Sequence, residues 1–181
     1  MLRRYRPGEC RELCPSSYRL SGTASSHHCR KENIVDNAIK LLKFSKIVRF
    51  PVILTEQIKL GSTVPEIKSL MPDEQAILKT TFSCFQSDEF VRKINSTGRD
   101  VLILAGIETQ ICVAQTALQG SPRRIHVVSD ATSSWTIENW TIGLNRMREA
   151  GAVITSTEMF IIELLRAAGT DEFRAALKLV K

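Results

Sequence analysis

Cys112 is the residue of this chain whose surroundings best suit it to do chemistry. It lies in the stretch Val101 to Leu118, VLILAGIETQICVAQTAL. The run VLILAG is apolar and rich in branched residues, the composition of a strand buried on both faces. Gly106 ends that run. CVAQTAL then carries alanine, leucine and glutamine, which favour helix. Cys112 is therefore expected in the first turn of a helix that follows a strand. A thiol there feels the positive end of the helix dipole and the unpaired backbone N–H groups. Its pKa is expected to fall, and the thiolate is the nucleophilic form. A lone cysteine is more often a packing residue, so the elements around Cys112 must decide between the two.

Those elements alternate. Ile34, Ala38, Leu41, Leu42, Ser45 and Val48 recur at helical spacing. Residues 50–55, FPVILT, read as a short buried strand, and 76–79 as another that ends at Lys79. Residues 65–69 form a short helix or turn, and a helix spans 87–94. Residues 125–129, IHVVS, make a strand that ends at Asp130. A helix over 138–150 is closed by Gly151. Residues 152–155 form the last strand, and Ser156 opens the helix 159–168. A final helix starts near Thr170. This alternation predicts a parallel sheet covered by helices on both faces. In such sheets the chemistry gathers beyond the carboxyl ends of the strands. Glu56, Lys79, Gly106, Glu108 and Asp130 all fall at or just past such ends.

The chain has 181 residues, 43% of them hydrophobic, and a net charge of +6. That length is enough for one domain with a sizeable core. No apolar run approaches the roughly 18 residues of a membrane helix. The charge is uneven. Residues 1–30 hold Arg3, Arg4, Arg6, Arg11, Arg19 and Arg30 against Glu9 and Glu12. The excess thus belongs to the N-terminal segment, which weakens a nucleic-acid reading. Cys10, Cys14, Cys29, Cys84 and Cys112 are irregularly spaced, which favours a reduced, cytoplasmic setting over a disulfide scaffold. Two N-x-T matches, at Asn95 and Asn139, are read as chance without a secretory signal. Residues 1–30 show no hydrophobic period and are separated from a folded domain at 31–181. The preferred reading of 1–30 is disorder; an organelle transit peptide is the alternative. A metal site from Cys10, Cys14, His27, His28 and Cys29 is disfavoured because the spacing is not finger-like.

Several segments in order carry a resemblance. GIETQICVAQTAL resembles the nucleophile segment of the isochorismatase-like cysteine hydrolases, the superfamily that includes nicotinamidases. PVILTEQ is similar to the strand and loop that line the site in its isochorismatase-domain branch. LKTTFSCF is similar to the segment with the family lysine. IHVVSDATSS and MREAGAVITSTE resemble the last two strands and their joining helix. The resemblance covers residues 31–181 and implies a three-layer α/β/α Rossmann-like fold with a parallel sheet. It implies Cys112 as nucleophile and Lys79 as the lysine of an aspartate–lysine–cysteine triad. It implies a cis peptide at Ile107–Glu108, an oxyanion hole from the Glu108 and Cys112 amides, and Glu56, Gln57 and Ile107 as pocket residues. Cys84 is read as packing. A small-molecule substrate and self-association are expected; a cofactor, a membrane and a nucleic acid are not. No catalytic metal is expected either. TEQIKLGST has no histidine, and His126 lies inside a strand.

The sequence departs from the family at its start. The triad aspartate belongs on a first, central, apolar strand, and residues 1–30 contain no aspartate and no such run. The first strand is accordingly expected to be missing or replaced. A scrambled start is favoured over an unusual replacement strand or a degenerate, poorly folding relative. The loop after Gln57 is short, and Gly120, Ser121 and Pro122 stop the helix after Cys112 at about two turns. Two functions compete. One is a cysteine hydrolase of a small amide- or ester-like compound, impaired without the aspartate. The other is a catalytically inactive relative that acts by binding or oligomerisation.

Overall fold

The computed structural model describes residues 11–16, 31–58, 60–120 and 122–180; of 11–16 and 31–33 it describes the backbone. In chain order the elements are β1 (Arg11–Ser16), α1 (Lys31–Val48), β2 (Thr55–Gln57), α2 (Pro65–Lys68) and β3 (Ile77–Lys79). They continue with α3 (Asp88–Ser96), β4 (Val101–Ile107), α4 (Ala114–Gln119), β5 (Arg124–Ser133) and α5 (Ile137–Glu149). β6 (Val153–Thr155), α6 (Thr157–Leu165) and α7 (Asp171–Val180) complete them. A single turn of π-helix, Thr109–Val113, joins β4 to α4. The strands form one six-stranded sheet in the order β3-β2-β1-β4-β5-β6. Every pairing is parallel. This is the doubly wound order whose direction reverses between β1 and β4, where a crevice opens at the carboxyl edge.

The apolar pattern of the strands explains the layering. In β4, Val101, Ile103 and Ala105 pack into one core cluster, and Leu102 and Leu104 into the other. All five are at most 1% exposed. A strand buried on both faces needs helices on both sides. α1, α6 and α7 cover one face, where Phe44, Phe50 and Phe160 meet edge to face with ring centroids 6.2–6.3 Å apart. α3, α4 and α5 cover the other through Phe90, Ile94, Ala117, Leu144 and Met147. Side-chain caps start the helices where the sequence offers them. Ser87 and Ser156 accept the N–H groups of Phe90 and Met159. Gly151, at φ +95°, turns the chain out of α5 as expected of a C-terminal glycine.

Two expectations about elements are corrected. The sequence sets residues 1–30 apart from the folded domain, yet Arg11–Ser16 fills the central slot, paired with β2 and β4. RELCPS has neither an apolar run nor alternation, and Pro15 lacks the N–H of a ladder. The two neighbouring strands supply the pairing that these residues do not advertise. The expectations of disorder, of a transit peptide and of a metal site at Cys10, Cys14, His27, His28 and Cys29 rest on residues and side chains outside those described. The second correction concerns β5, which does not end at Asp130 but runs on to Ser133. Its register with β4 jumps from Leu104↔Val127 to Gly106↔Thr132, so Asp130 sits in an irregular stretch within the strand.

Asp130 locks that stretch to the far side of the sheet. Its Oδ1 accepts the Thr157 N–H at 2.8 Å and the Thr157 hydroxyl at 2.9 Å. Its backbone carbonyl accepts the Asn37 side-chain N–H at 2.9 Å. Thr157 is 2% exposed, so Asp130→Ala leaves buried donors unpaired. The expected cost is about 2–3 kcal/mol, read as a lower urea midpoint with an unchanged slope. Among the described residues no helix is long and apolar enough to cross a membrane.

Candidate active site

The site assembles at the carboxyl edge, on the face covered by α3, α4 and α5. Lys79 is the last residue of β3 and lies beside Gln57, the last residue of β2. In β3 the side chains alternate, with Ile77 and Lys79 buried and Leu78 exposed. Lys79 is 3% exposed. Its ammonium donates to Gln57 Oε1 at 2.9 Å, Thr81 O at 2.9 Å and Phe82 O at 3.0 Å. Three neutral acceptors thus satisfy its three donors, and among the described residues no carboxylate is bonded to it. Gln57 is oriented for this by its own amide, which donates to Thr80 O at 2.6 Å.

Cys112 sits in the π turn, not in the first turn of an α-helix. The chain leaves β4 through a cis peptide at Ile107–Glu108, where the resemblance placed one. The Glu108 carbonyl then accepts the N–H of Ile111 at 3.1 Å and of Val113 at 3.3 Å. Cys112 is 7% exposed. The expected fall in its pKa is overturned. Burial, the largest influence, raises it, and the Lys79 charge lowers it. Cys84 raises it, a backbone hydrogen bond from Glu108 lowers it, and the Glu108 carboxylate raises it, with a net upward shift. Desolvation of the thiolate outweighs one nearby cation. The helix behind the turn, α4, is too short to reverse that balance.

The turn is pinned from three sides. The Thr109 hydroxyl donates to Ser133 O at 2.9 Å. The Ser134 hydroxyl donates to Gln110 Oε1. The backbone of α5 comes so close at Gly143 that an added Cβ would stand 3.0 Å from Gln110 Cα. Gly143→Ala is therefore expected to push the turn, at about 1–3 kcal/mol of stability, and to slow reactions of Cys112. Thermal melting and the alkylation rate of the variant check both effects. Sequence reasoning missed Gly143, although a glycine inside the helical run ENWTIGLNRM costs about 1 kcal/mol against alanine and so signals a close approach. The carbonyls of Thr81 and Phe82 were also missed, and backbone acceptors leave no side-chain signal to read.

Other expected residues are placed as follows. Glu108 begins the turn, and its Oε2 accepts the Trp135 N–H at 3.1 Å. Ile107 is the half-buried last residue of β4, paired with Ser133. Glu56 is not brought to Lys79. It alternates with Gln57 along β2, and its Oε1 accepts the Thr63 N–H at 2.8 Å. Cys84 is fully buried among core residues. Its N–H donates to the Thr116 hydroxyl at 3.0 Å, one turn beyond Cys112. His126 is 3% exposed inside β5. Among the described residues no group of three or more His, Cys, Asp or Glu side chains is placed to hold a metal ion. β1 brings no aspartate. Its one acid, Glu12, pairs with Leu102, about 13 Å below the edge at four residues of parallel strand. A cavity of about 760 Å³ lined by Lys46, Arg49, Phe50, Met71 and Arg99 contains neither Cys112 nor Lys79.

The family model for the isochorismatase domain matches residues 17–159. The chain belongs to the isochorismatase domain family. Among curated relatives of this family, the chain is 37% identical over 156 residues to the secreted isochorismatase effector Isc1 of Phytophthora sojae. That match covers 82% of this chain and 74% of the effector. It is 36% identical over 155 residues to isochorismatase domain-containing protein 2A of Mus musculus, over 82% of this chain and 72% of that protein. Among solved structures, the MAR1 ribonuclease of Caenorhabditis elegans superposes with a TM-score of 0.85 at 27% identity, over 94% of this chain and 89% of that one. The YcaC gene product of Escherichia coli, described as an octameric hydrolase of unknown specificity, gives 0.80 at 24% identity, over 94% and 86%. The isochorismatase-like hydrolase fold is thus shared across nearly the whole length of this chain.

Proposed function

We propose that this chain is a cysteine hydrolase of a small amide- or ester-like substrate that acts through a Cys112 thioester. The observation that carries the reading is the meeting of Cys112 and Lys79. Lys79 ends β3 and Cys112 lies in the turn after β4; both are buried, and the Lys79 charge bears on the sulfur. In the reaction the sulfur attacks the carbonyl carbon, and the carbonyl electrons move to oxygen. The Glu108 N–H, which already bonds toward the thiol, and the Cys112 N–H hold that oxyanion. Lys79 stabilises sulfur as a nucleophile and again as a leaving group. Water then cleaves the thioester. Gln57 and Ile107 line the approach.

A second reading, an inactive relative that acts by binding, has its own supporting observation. β1 offers no acid at the carboxyl edge, and burial keeps the thiol protonated. Hydrolysis of p-nitrophenyl acetate separates the two. The hydrolase reading expects turnover that Cys112→Ala abolishes. Equal rates for wild type and variant would sustain the inactive relative.

Self-association is part of the proposal. α5 and α6 expose Ile142 and Met159 at 62% and 56%, and the related YcaC product is octameric. Sedimentation of the wild type is expected to give more than one subunit. A cytoplasmic setting is supported by the free thiols of Cys84 and Cys112. RNA cleavage, the activity in the name of the Caenorhabditis elegans neighbour, is not proposed. A thiol facing amide donors is built for acyl carbon, and the basic excess lies in residues 1–30.

A further inference from the structure

Acyl transfer by a protonated thiol needs a base, and no aspartate stands at the end of β1 to serve. The carboxylates near the carboxyl edge can be taken in turn. Glu56 holds the Thr63 N–H and lies on the opposite face from Gln57. Asp130 caps α6 through both polar groups of Thr157. Glu12 is paired low in the sheet. Glu108 differs from all three. It opens the turn that carries Cys112, its carbonyl fixes that turn through Ile111 and Val113, and Trp135 N–H steadies its Oε2 at 3.1 Å. It is half-buried, and its backbone N–H bonds to the Cys112 thiol.

We propose that the Glu108 carboxylate is the general base and acid of this site, in place of the absent aspartate. This rests on the hydrolase reading above. Glu108 takes the proton of Cys112 Sγ–H, directly or through one water, as the S–C bond forms. It returns that proton to the leaving nitrogen or oxygen as the C–N or C–O bond breaks. In the second half it takes a proton from water as the new O–C bond forms. It gives that proton back to sulfur as the S–C bond breaks. The net reaction is hydrolysis, with Glu108 returned to its starting state. Among the described residues, the charged or titratable groups that act on the sulfur are Lys79, Cys84 and Glu108 itself. Of these, Glu108 is the carboxylate.

Acetate esters with leaving groups of increasing basicity test the assignment. p-Nitrophenolate departs without a proton, whereas ethoxide needs one. Glu108→Gln keeps an acceptor for Trp135 and removes the proton carrier. Its rate on p-nitrophenyl acetate is expected to fall, because thiol attack and thioester hydrolysis lose their base, although the leaving group needs no acid. Its rate on ethyl acetate is expected to fall by about 10²-fold or more. Alkylation of Cys112 by iodoacetamide should be unchanged or faster, because a repelling charge has left the sulfur. Glu108→Asp should recover part of the ethyl acetate rate. The same leaving-group dependence in wild type and Glu108→Gln overturns the assignment. So does a variant that melts lower and alkylates more slowly, which makes Glu108 a structural residue. A folded wild type inert to every ester overturns the hydrolase reading itself, and with it this assignment.

Discussion

Cys112→Ala lowers the turnover of p-nitrophenyl acetate by about 10³-fold or more, to the level of the ester in buffer. The size of the effect follows from what the substitution removes. The amides of Glu108 and Cys112 remain and can still polarise a carbonyl, but nothing is left to form the covalent bond. The change is small in volume, and the site loses one sulfur from a densely packed place. Cys112 is buried beside Val113 and Ala114, so truncation costs about 1 kcal/mol of packing and the protein stays folded. Circular dichroism of the variant distinguishes a lost nucleophile from a lost fold. Cys84→Ala is the companion, since Cys84 packs in the core and bonds no substrate in this mechanism. It should lower stability and leave most of the turnover.

Lys79→Met has the second largest effect, and it acts in two ways. The first is electrostatic. The Lys79 charge favours the thiolate, so its removal moves the Cys112 pKa further up. At a fixed pH the thiolate fraction falls, and the alkylation profile shifts to higher pH. Turnover should drop by about 10²–10³-fold. The second is structural. Gln57 Oε1, Thr81 O and Phe82 O each lose their donor, and an unpaired buried acceptor costs about 1–3 kcal/mol. A large fall in melting temperature is therefore expected with the loss of rate. The upward shift of the alkylation profile is the part that a merely structural lysine would not produce. A profile that stays in place would remove Lys79 from the mechanism.

The legible part of the fold was the part encoded by local pattern. β4 is apolar at every position through Ala105, and its branched residues favour a buried strand. Ser87, Ser156 and Gly151 announced helix ends by their own side-chain or backbone chemistry. β1 was hidden because its stability comes from its neighbours. RELCPS looks like a loop, and only the gap between β2 and β4 makes it a strand. β5 was read short because Asp130 looks like a strand end, whereas its carboxylate is bound to Thr157 across the chain. The site was legible in its types and not in its energetics. Lys79 bonds to Gln57, and its charge bears on the Cys112 sulfur, which supports the roles the resemblance implied without testing them. Glu56 does not join them, since strand alternation turns it away. The Cys112 shift is opposite in sign to the one a helix dipole implies. A helix dipole can be guessed from sequence, but the desolvation that exceeds it depends on how α5 and Gly143 close over the turn.

The most direct measurement is the mass of the peptide containing Cys112 after brief exposure of the protein to p-nitrophenyl acetate and acid quench. One added acetyl group is expected on Cys112, lost with time as water cleaves the thioester, and absent in Cys112→Ala. An unmodified Cys112 during turnover, or an acetyl group on Cys84 or a lysine instead, would contradict it.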